Sequence, residues 1–230
     1  MNKLSQFIQK HLEVIVILAV TIIWNQSAYY GGRVIAGSWH HYDMTLAIDD
    51  MVPCIPWTVL IYFGCYLFWA MNYYICAKQT DIEARNRYFC ADAMSKVICF
   101  IFFLVLPTTN VRPEVTGNGI WEFVLNFLYM IDSADNLFPS IHCLVSWFCW
   151  IGVRRRKDIS VFYRYFSLLA ALAVCISTIT TKQHVWADVI SGVLLAEICY
   201  LIAGISKVRG VYARIITAII GLFRSKKSEA

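Results

Sequence analysis

The stretch Asp135–Trp150, DNLFPSIHCLVSWFCW, changes from polar to apolar within a few residues, which is typical of a helix entering a membrane. Pro-Ser-x-His stands at the start of the apolar run, although a histidine is costly to bury in such a place. Taken alone, the segment Pro139–His142 fits two interpretations: the first turn of a helix at the water interface, with Pro139 inside that turn, or part of a polar site. The rest of the chain distinguishes them.

The composition of the whole chain is that of a membrane protein. Of the 230 residues, 59% are hydrophobic and only 15% are charged, whereas soluble domains average about 25% charged residues. This excludes an ordinary soluble protein and predicts an all-α, polytopic integral membrane protein that forms one membrane domain over residues 1–230. Most of the nine cysteines fall in or near apolar runs and no C-x-x-C pair occurs, so we expect free thiols that pack as small apolar groups.

Apolar runs of nearly the ~20 residues that a spanning helix needs recur along the chain. Six transmembrane helices are predicted from them, at residues 14–30, 53–77, 94–110, 138–153, 159–180 and 185–206. The segment Ile120–Ile131 is too short to span and predicts an interfacial or re-entrant helix on the outer face. Val211–Phe223, within the basic tail 207–230, predicts an interfacial helix on the inner face rather than a seventh span.

The loop charges predict the orientation. If the N-terminus is cytoplasmic, the inner segments hold all but three of the 20 lysines and arginines, including Lys96 and the run Arg154–Lys157. By the positive-inside rule both termini then face the cytoplasm. The three exceptions, Arg33, Arg112 and Lys182, lie on the outer side, and the last two stand beside other reactive residue types.

Two outer segments carry groups suited to an anion. Arg112 lies in LPTTNVRPEV (106–115), where two prolines prevent regular helix. Its planar guanidinium suits phosphate oxygens. In NLFPSIHC (136–143), the Ser140 hydroxyl and the free backbone N–H groups of a helix start can face an anion, with His142 in the same turn.

A third outer segment, STITTKQHVWADVISG (177–192), contains a histidine and an aspartate four residues apart. On a helix, His184 and Asp188 would share one face and could form a hydrogen bond. The aspartate would orient the imidazole and raise its basicity, leaving the other ring nitrogen free to attack or to accept a proton. Lys182 offers a second cation. The alternative is a hydrogen bond with only a structural role.

The predicted orientation brings the three segments to the same outer surface, at the ends of the third, fourth and sixth spans. Cations for phosphate oxygens, a nucleophile and a proton donor would then meet at one membrane depth, which predicts phosphoryl transfer. The candidate site residues are Arg112, Ser140, His142, Lys182, His184 and Asp188.

At these residues the chain resembles the type 2 phosphatidic-acid phosphatase superfamily, six-span membrane enzymes that include lipid phosphate phosphatases and lipid phosphotransferases. Three motifs mark that superfamily: K-x6-R-P, P-S-G-H and S-R-x5-H-x3-D. Here Arg112-Pro113 matches the end of the first motif, and Pro139–His142 matches the second with Ile141 in place of glycine. Ser177–Asp188 matches the third with its spacing intact.

The resemblance implies a role for each matched residue. His184 would attack the phosphorus to give a phosphohistidine, with Asp188 holding the imidazole. His142 would protonate the departing lipid oxygen and then activate the acceptor, while Arg112 and Ser140 hold the phosphate. The resemblance implies no metal and no cofactor.

The chain departs from the motifs at two positions. Val105 stands where the first motif has lysine, and Thr178 stands where the third has arginine; Lys182 can replace one of these cations. The form T-K-Q-H-x3-D at 181–188 resembles the branch that contains inositol phosphorylceramide synthases. The resemblance covers about residues 50–206, because IDDMVPCIPW (48–57) also resembles the lead-in to a second span in one branch.

The leading hypothesis is an enzyme, a phosphoric monoester hydrolase that removes phosphate from a lipid phosphate or polyprenyl diphosphate. The alternative is a phosphotransferase of the inositol phosphorylceramide synthase type, in which an alcohol accepts the phosphoryl group. A non-catalytic membrane protein, such as a transporter, and a metal-dependent hydrolase are the other readings. We expect a membrane lipid with a phosphate head group as partner, no nucleic acid, and a bacterial plasma membrane location with the site on the extracytoplasmic side. The sequence does not indicate an oligomeric state.

Overall fold

The computed structural model of the protein describes residues 3–225, and the side chains of residues 11–224. Among the charges used for the orientation, the side chains of Lys3, Lys10, Lys226 and Lys227 lie outside the described residues. The elements in chain order are α1 (Lys3–Ala36), β1 (Tyr42–Asp43), α2 (Ala47–Asp50), a 3-10 turn (Pro56–Thr58), α3 (Val59–Ala77), α4 (Ile82–Val105), β2 (Thr108–Thr109), α5 (Ile120–Ile131), α6 (Ile141–Val153), α7 (Val161–Thr180), α8 (Trp186–Ile202) and α9 (Ser206–Ser225).

The protein is mostly helical, and several of its helices fit a membrane. Within residues 3–225, four helical segments are long and apolar enough to span: His11–Ala36, Pro56–Ala77, Ile82–Val105 and Val161–Thr180. Helices α8 and α9 meet at an angle of 93° and together can form a fifth, bent span. The all-α membrane architecture is confirmed at this level. The short strands β1 and β2 pair in parallel and join the loop between α1 and α2 to the loop between α4 and α5.

Helix α4 begins 12 residues before its predicted span of 94–110. It begins at Ile82, because the side chain of Asp81 caps it by accepting a hydrogen bond from the N–H of Ala84 at 3.0 Å. Lys96 therefore lies near the middle of the helix rather than at its start. It is 1% exposed and pairs with Asp92 one turn earlier at 2.8 Å. Lys96 was counted among the inner-segment charges, and the structure places it inside the bundle instead.

Helix α6 is the centre of the bundle and packs against α3, α7 and α8. Its 13 residues, about 20 Å long, are buried on most sides; Leu144, Phe148 and Cys149 have no exposed surface. One buried apolar cluster joins residues of α1, α3, α4, α6, α7, α8 and α9. The cysteines of the described residues are all free thiols, and eight of the nine are buried.

Hydrogen bonds join the loops at one end of the bundle. The N–H of Ile55 donates to Thr180 at 2.8 Å, and the N–H of Ser140 donates to the carbonyl of Asp188 at 3.1 Å. These bonds bring the start of α3, the start of α6 and the α7–α8 turn together. This end, which carries the three segments identified from the sequence, is called the site end below; the opposite end is called the tail end.

Candidate active site

The turn between α7 and α8 places His184 at the centre of the site end. Lys182 adopts a positive φ of 54°, which reverses the chain after α7. The backbone N–H groups of Gln183 and His184 both donate to the carbonyl of Thr178, at 2.9 and 3.0 Å. His184 is therefore held by its own backbone before α8 begins at Trp186, rather than lying on the helix as the four-residue spacing predicted.

Asp188 reaches back from the first turn of α8 to His184. Its Oδ2 lies 3.2 Å from Nδ1 of His184 and also accepts the N–H of Val185 at 3.1 Å. Asp188 is fully buried and His184 is 6% exposed. A buried carboxylate acceptor favours the tautomer with the proton on Nδ1, so the lone pair of Nε2 is left free.

The start of α6 lies directly against this pair. Ser140 is the N-cap of α6, and its Oγ accepts the N–H of Cys143 at 3.3 Å. The sequence predicted Pro139 inside the first turn of the helix. In the structure Pro139 instead precedes the helix, which begins at Ile141. A Cβ on Gly192 would lie 2.6 Å from the carbonyl oxygen of Ser140, so only glycine lets α8 approach so closely.

His142 faces His184 from the first turn of α6, with the two ring centroids 5.9 Å apart. Three aromatic rings of α3 surround it: Tyr62 at 4.5 Å, Trp69 at 5.4 Å and Tyr66 at 6.2 Å between centroids. No described residue forms a hydrogen bond with its ring nitrogens. The aromatic rings position the imidazole by packing and leave both nitrogens to a ligand.

Arg112 is close to the site but its side chain is already engaged. One terminal nitrogen donates to the carbonyl of Asp132 and the other to Oε1 of Gln183 at 2.7 Å, while the guanidinium lies 4.9 Å above the ring of Tyr129. Gln183 immediately precedes His184. Arg112 therefore contacts the histidine pair through Gln183 and lines neither of the two cavities at the site.

Those two cavities meet at His184. One, of about 220 Å³, lies between α1, α3 and α5 and contains His142, His184 and Asp132; it is called the inner cavity below. The other, of about 620 Å³, is lined mainly by loop residues, among them Asp43, Asp50 and Lys182, and is called the outward cavity. Lys182 donates from Nζ to the carbonyl of Asp49 at 2.9 Å. His184 thus stands between an aromatic and a charged compartment.

Two charged groups of the site have shifted pKa values. Burial opposes protonation of His184, but the hydrogen bond and charge of Asp188, with smaller contributions from Cys143 and Asp132, outweigh it and raise its pKa. Burial lowers the pKa of Arg112, against the nearby charge of Asp132. The arginine remains cationic at neutral pH because its ordinary pKa is so high.

No family model, curated protein or solved structure matches this chain. The resemblance to the phosphatidic-acid phosphatase superfamily therefore stays a prediction based on the motif residues. Among the described residues, no three His, Cys, Asp or Glu side chains are grouped as metal ligands. What the geometry offers is a free imidazole nitrogen, a second imidazole facing it, and nearby N–H and hydroxyl donors.

Several residues of the site were not recognised in the sequence. Tyr62, Tyr66 and Trp69 follow a helical spacing, but aromatic residues on one face of a spanning helix are too common to indicate a site. Asp132 accepts hydrogen bonds from the hydroxyls of Tyr29, at 2.7 Å, and Tyr62, at 3.0 Å, and both contacts are distant in sequence. Gln183 could have been noticed only as the neighbour of His184.

Proposed function

We propose that the protein is a lipid phosphate phosphatase of a membrane, acting through a phosphohistidine. The observation that carries the proposal is the pair of imidazoles 5.9 Å apart, one held at Nδ1 by Asp188 with Nε2 free and the other without a hydrogen bond to any described residue. A phosphoryl group between them would have a nucleophile on one side and a proton donor on the other.

In the first step, Nε2 of His184 attacks the phosphorus, a P–N bond forms and the P–O bond to the lipid breaks. Protonated His142 gives its proton to the departing oxygen, so the lipid leaves as a neutral alcohol. Asp188 stabilises the positive charge that develops on His184. Because the pair of His184 and Asp188 is buried, the attraction between this positive charge and the carboxylate is stronger than it would be in water.

In the second step, water takes the place of the lipid alcohol near His142. Neutral His142 accepts a proton from the water, whose oxygen bonds to phosphorus while the P–N bond breaks. Inorganic phosphate is released, His184 returns to its starting form and His142 is protonated again. Because attack occurs in line, acceptor and leaving group use the same side of the phosphorus.

The phosphate oxygens would be held by donors next to the two histidines. Ser140 supplies a hydroxyl at the start of α6, and Lys182 lines the outward cavity beside His184. Arg112 would reach the phosphate by exchanging Gln183 for a phosphate oxygen, a charge-assisted contact that is stronger than one to an amide. Its Nε is buried without a partner among the described residues, so it has donor capacity in reserve.

The proposal includes the predicted topology: six spans, both termini cytoplasmic, and the site end on the extracytoplasmic side of a bacterial plasma membrane. The loop charges support it, because the run Arg154–Lys157 follows α6 at the tail end. Under this topology α6 and α8 count as spans although each is short, with α6 surrounded by other helices.

A phosphotransferase is the second candidate. The size of the outward cavity, about 620 Å³ against about 220 Å³ for the inner one, supports it, because a phosphate with a large polar substituent would fit there. The substitution of Val105 and Thr178 for two motif cations supports it as well. In this version an alcohol replaces water in the second step.

Purified protein in detergent, given a ³²P-labelled lipid phosphate, tests the proposal. We expect release of labelled inorganic phosphate and a labelled protein after an alkaline quench, because phosphohistidine survives alkali. Reactions with increasing concentrations of glycerol then show how the phosphohistidine divides between water and glycerol as acceptors. Label that moves into glycerol phosphate in proportion to glycerol supports the phosphotransferase, and no labelled protein and no product would contradict both versions.

A further inference from the structure

A second polar cluster lies inside the bundle, away from the histidine pair. Asp92 and Lys96 form an ion pair on α4, with side chains 3% and 1% exposed and a Nζ–Oδ1 distance of 2.8 Å. The hydroxyl of Tyr73 donates to the same Oδ1 at 2.6 Å. Burying an ion pair carries a large desolvation penalty, so this pair is a weak source of stability and a candidate for a further role.

The ammonium of Lys96 has hydrogen-bonding capacity that the protein does not use. It has three N–H donors, and among the described residues only Asp92 accepts from it. The ring of Phe148 lies 5.7 Å from Nζ and offers only its π face. Two N–H donors of a buried cation thus lack an oxygen partner, which favours a ligand atom that supplies one.

A cavity of about 420 Å³ adjoins this ion pair and extends between α1, α3 and α4. It is called the lipid cavity below. Asp92, Lys96 and Tyr73 line it, and most of its other walls are apolar. It has Asn25, Gln26, Tyr66 and Trp69 in common with the inner cavity, which contains His142 and His184. The two cavities therefore lie side by side along these four residues.

The depth of the ion pair fits the linkage region of a lipid. Phe148, which contacts Lys96, follows His142 by six residues on α6, about 9 Å along the axis. In a glycerolipid or an N-acylated sphingoid lipid, the ester or amide carbonyl is separated from the phosphate by a short chain of single bonds. A polyprenyl phosphate has only hydrocarbon at that depth.

We infer that the lipid cavity binds the linkage region of the substrate and that Lys96 donates a hydrogen bond to an acyl carbonyl. Asp92 and Tyr73 position the ammonium. The substrate class is then an acyl-linked lipid phosphate rather than a polyprenyl phosphate. This inference rests on the proposed function, because it assumes that the phosphate of the same molecule lies at His142 and His184.

Four substrates in detergent micelles test the inference: a diacyl phosphatidic acid, its dialkyl ether analogue, a ceramide 1-phosphate and a polyprenyl phosphate. The ether analogue is the matched control, because it lacks only the carbonyls. We expect the wild-type KM to be about tenfold lower for the diacyl lipid than for the ether lipid, the usual effect of one lost hydrogen bond to a charged group. A preference for the ceramide phosphate over the diacyl lipid would assign the carbonyl to an amide, and the reverse order to an ester.

The double variant Lys96→Met with Asp92→Leu removes both charges together and so avoids an unpaired buried charge. We expect its KM for the diacyl lipid to rise to that of the ether lipid, whose own KM stays unchanged. Lys96→Arg should keep the preference, and Lys78→Met, which removes an exposed lysine, should have no effect.

Equal KM values for the diacyl and ether lipids in the wild-type protein would overturn the inference without any variant. An unchanged preference in the double variant would also overturn it. Phosphate release from none of the four lipids would instead contradict the proposed function, so the two failures are distinguishable.

Discussion

Helix α8 carries two carboxylates whose surroundings are opposite in character. Glu197, towards the tail end, accepts hydrogen bonds from both terminal nitrogens of Arg154 and from the indole of Trp147 at 2.8 Å. Asp188, at the site end, holds one nitrogen of His184, and its own Oδ1 is buried without a partner among the described residues. Both oxygens of Glu197 accept hydrogen bonds from the protein, whereas Asp188 has one oxygen that accepts none from the described residues.

The difference suggests that the fully paired Glu197 stabilises the fold, whereas the incompletely paired Asp188 supports the chemistry of His184. It also supports a structural role for Glu197, an ionisable residue inside an apolar run. Three substitutions test this comparison.

The largest effect is expected for His184→Gln. Removing the attacking nitrogen should lower kcat by about 10,000-fold or more, as for other nucleophiles that form a covalent intermediate. Initial rates of phosphate release from a lipid phosphate measure the effect. His40→Gln, at an exposed histidine between α1 and β1, is the matched control and should retain full activity. A His184→Gln variant that keeps a tenth of the activity would contradict the assigned role.

Asp188→Asn should lower kcat by about 1,000-fold or more, because the amide no longer favours the Nδ1-protonated tautomer. It should also change the pH profile. Asp188 raises the pKa of His184, and only the neutral imidazole attacks, so wild-type activity rises as pH increases through that raised pKa. Without the carboxylate the pKa falls, and the acidic limb of kcat/KM against pH should move to lower pH. A limb that stays in place or moves upward would show that Asp188 does not control this titration.

The smallest effect on activity is expected for Glu197→Gln. The pair with Arg154 is partly exposed, at 30% and 19% of the two side chains, so its loss should cost about 1 kcal/mol of stability. For a chain of this size, that lowers Tm by about 2–4 °C. Thermal unfolding in detergent and phosphate release together measure the two effects. A loss of activity at unchanged Tm would remove the contrast between the two carboxylates.

The sequence predicts the ends of some helices well and others poorly, for physical reasons. The bounds of α5, Ile120–Ile131, follow from an abrupt change to apolar residues after Gly119. The start of α4 was missed by 12 residues because its first turns are rich in charge, and hydropathy cannot detect a helix that leaves the apolar layer. The Asp81 cap was the available signal.

The candidate site was predicted in part. The spacing of His184 and Asp188 and the Pro-Ser-x-His segment indicate residues that the structure brings together at one end. The partner of Arg112 could not be predicted, because Gln183 is 71 residues away in sequence. Likewise, the four-residue spacing of Asp92 and Lys96 suggested no buried pair, since only three-dimensional packing shows that both side chains face inward.

The position of His184 between two compartments has a consequence for the order of events. The inner cavity adjoins apolar helices, while the outward cavity is bordered by exposed loops. If the lipid arrives from the bilayer and phosphate departs through the loops, the two products never compete for one exit. The lipid alcohol and the phosphate would then leave by separate routes, and a crowded membrane would not slow the departure of phosphate into water.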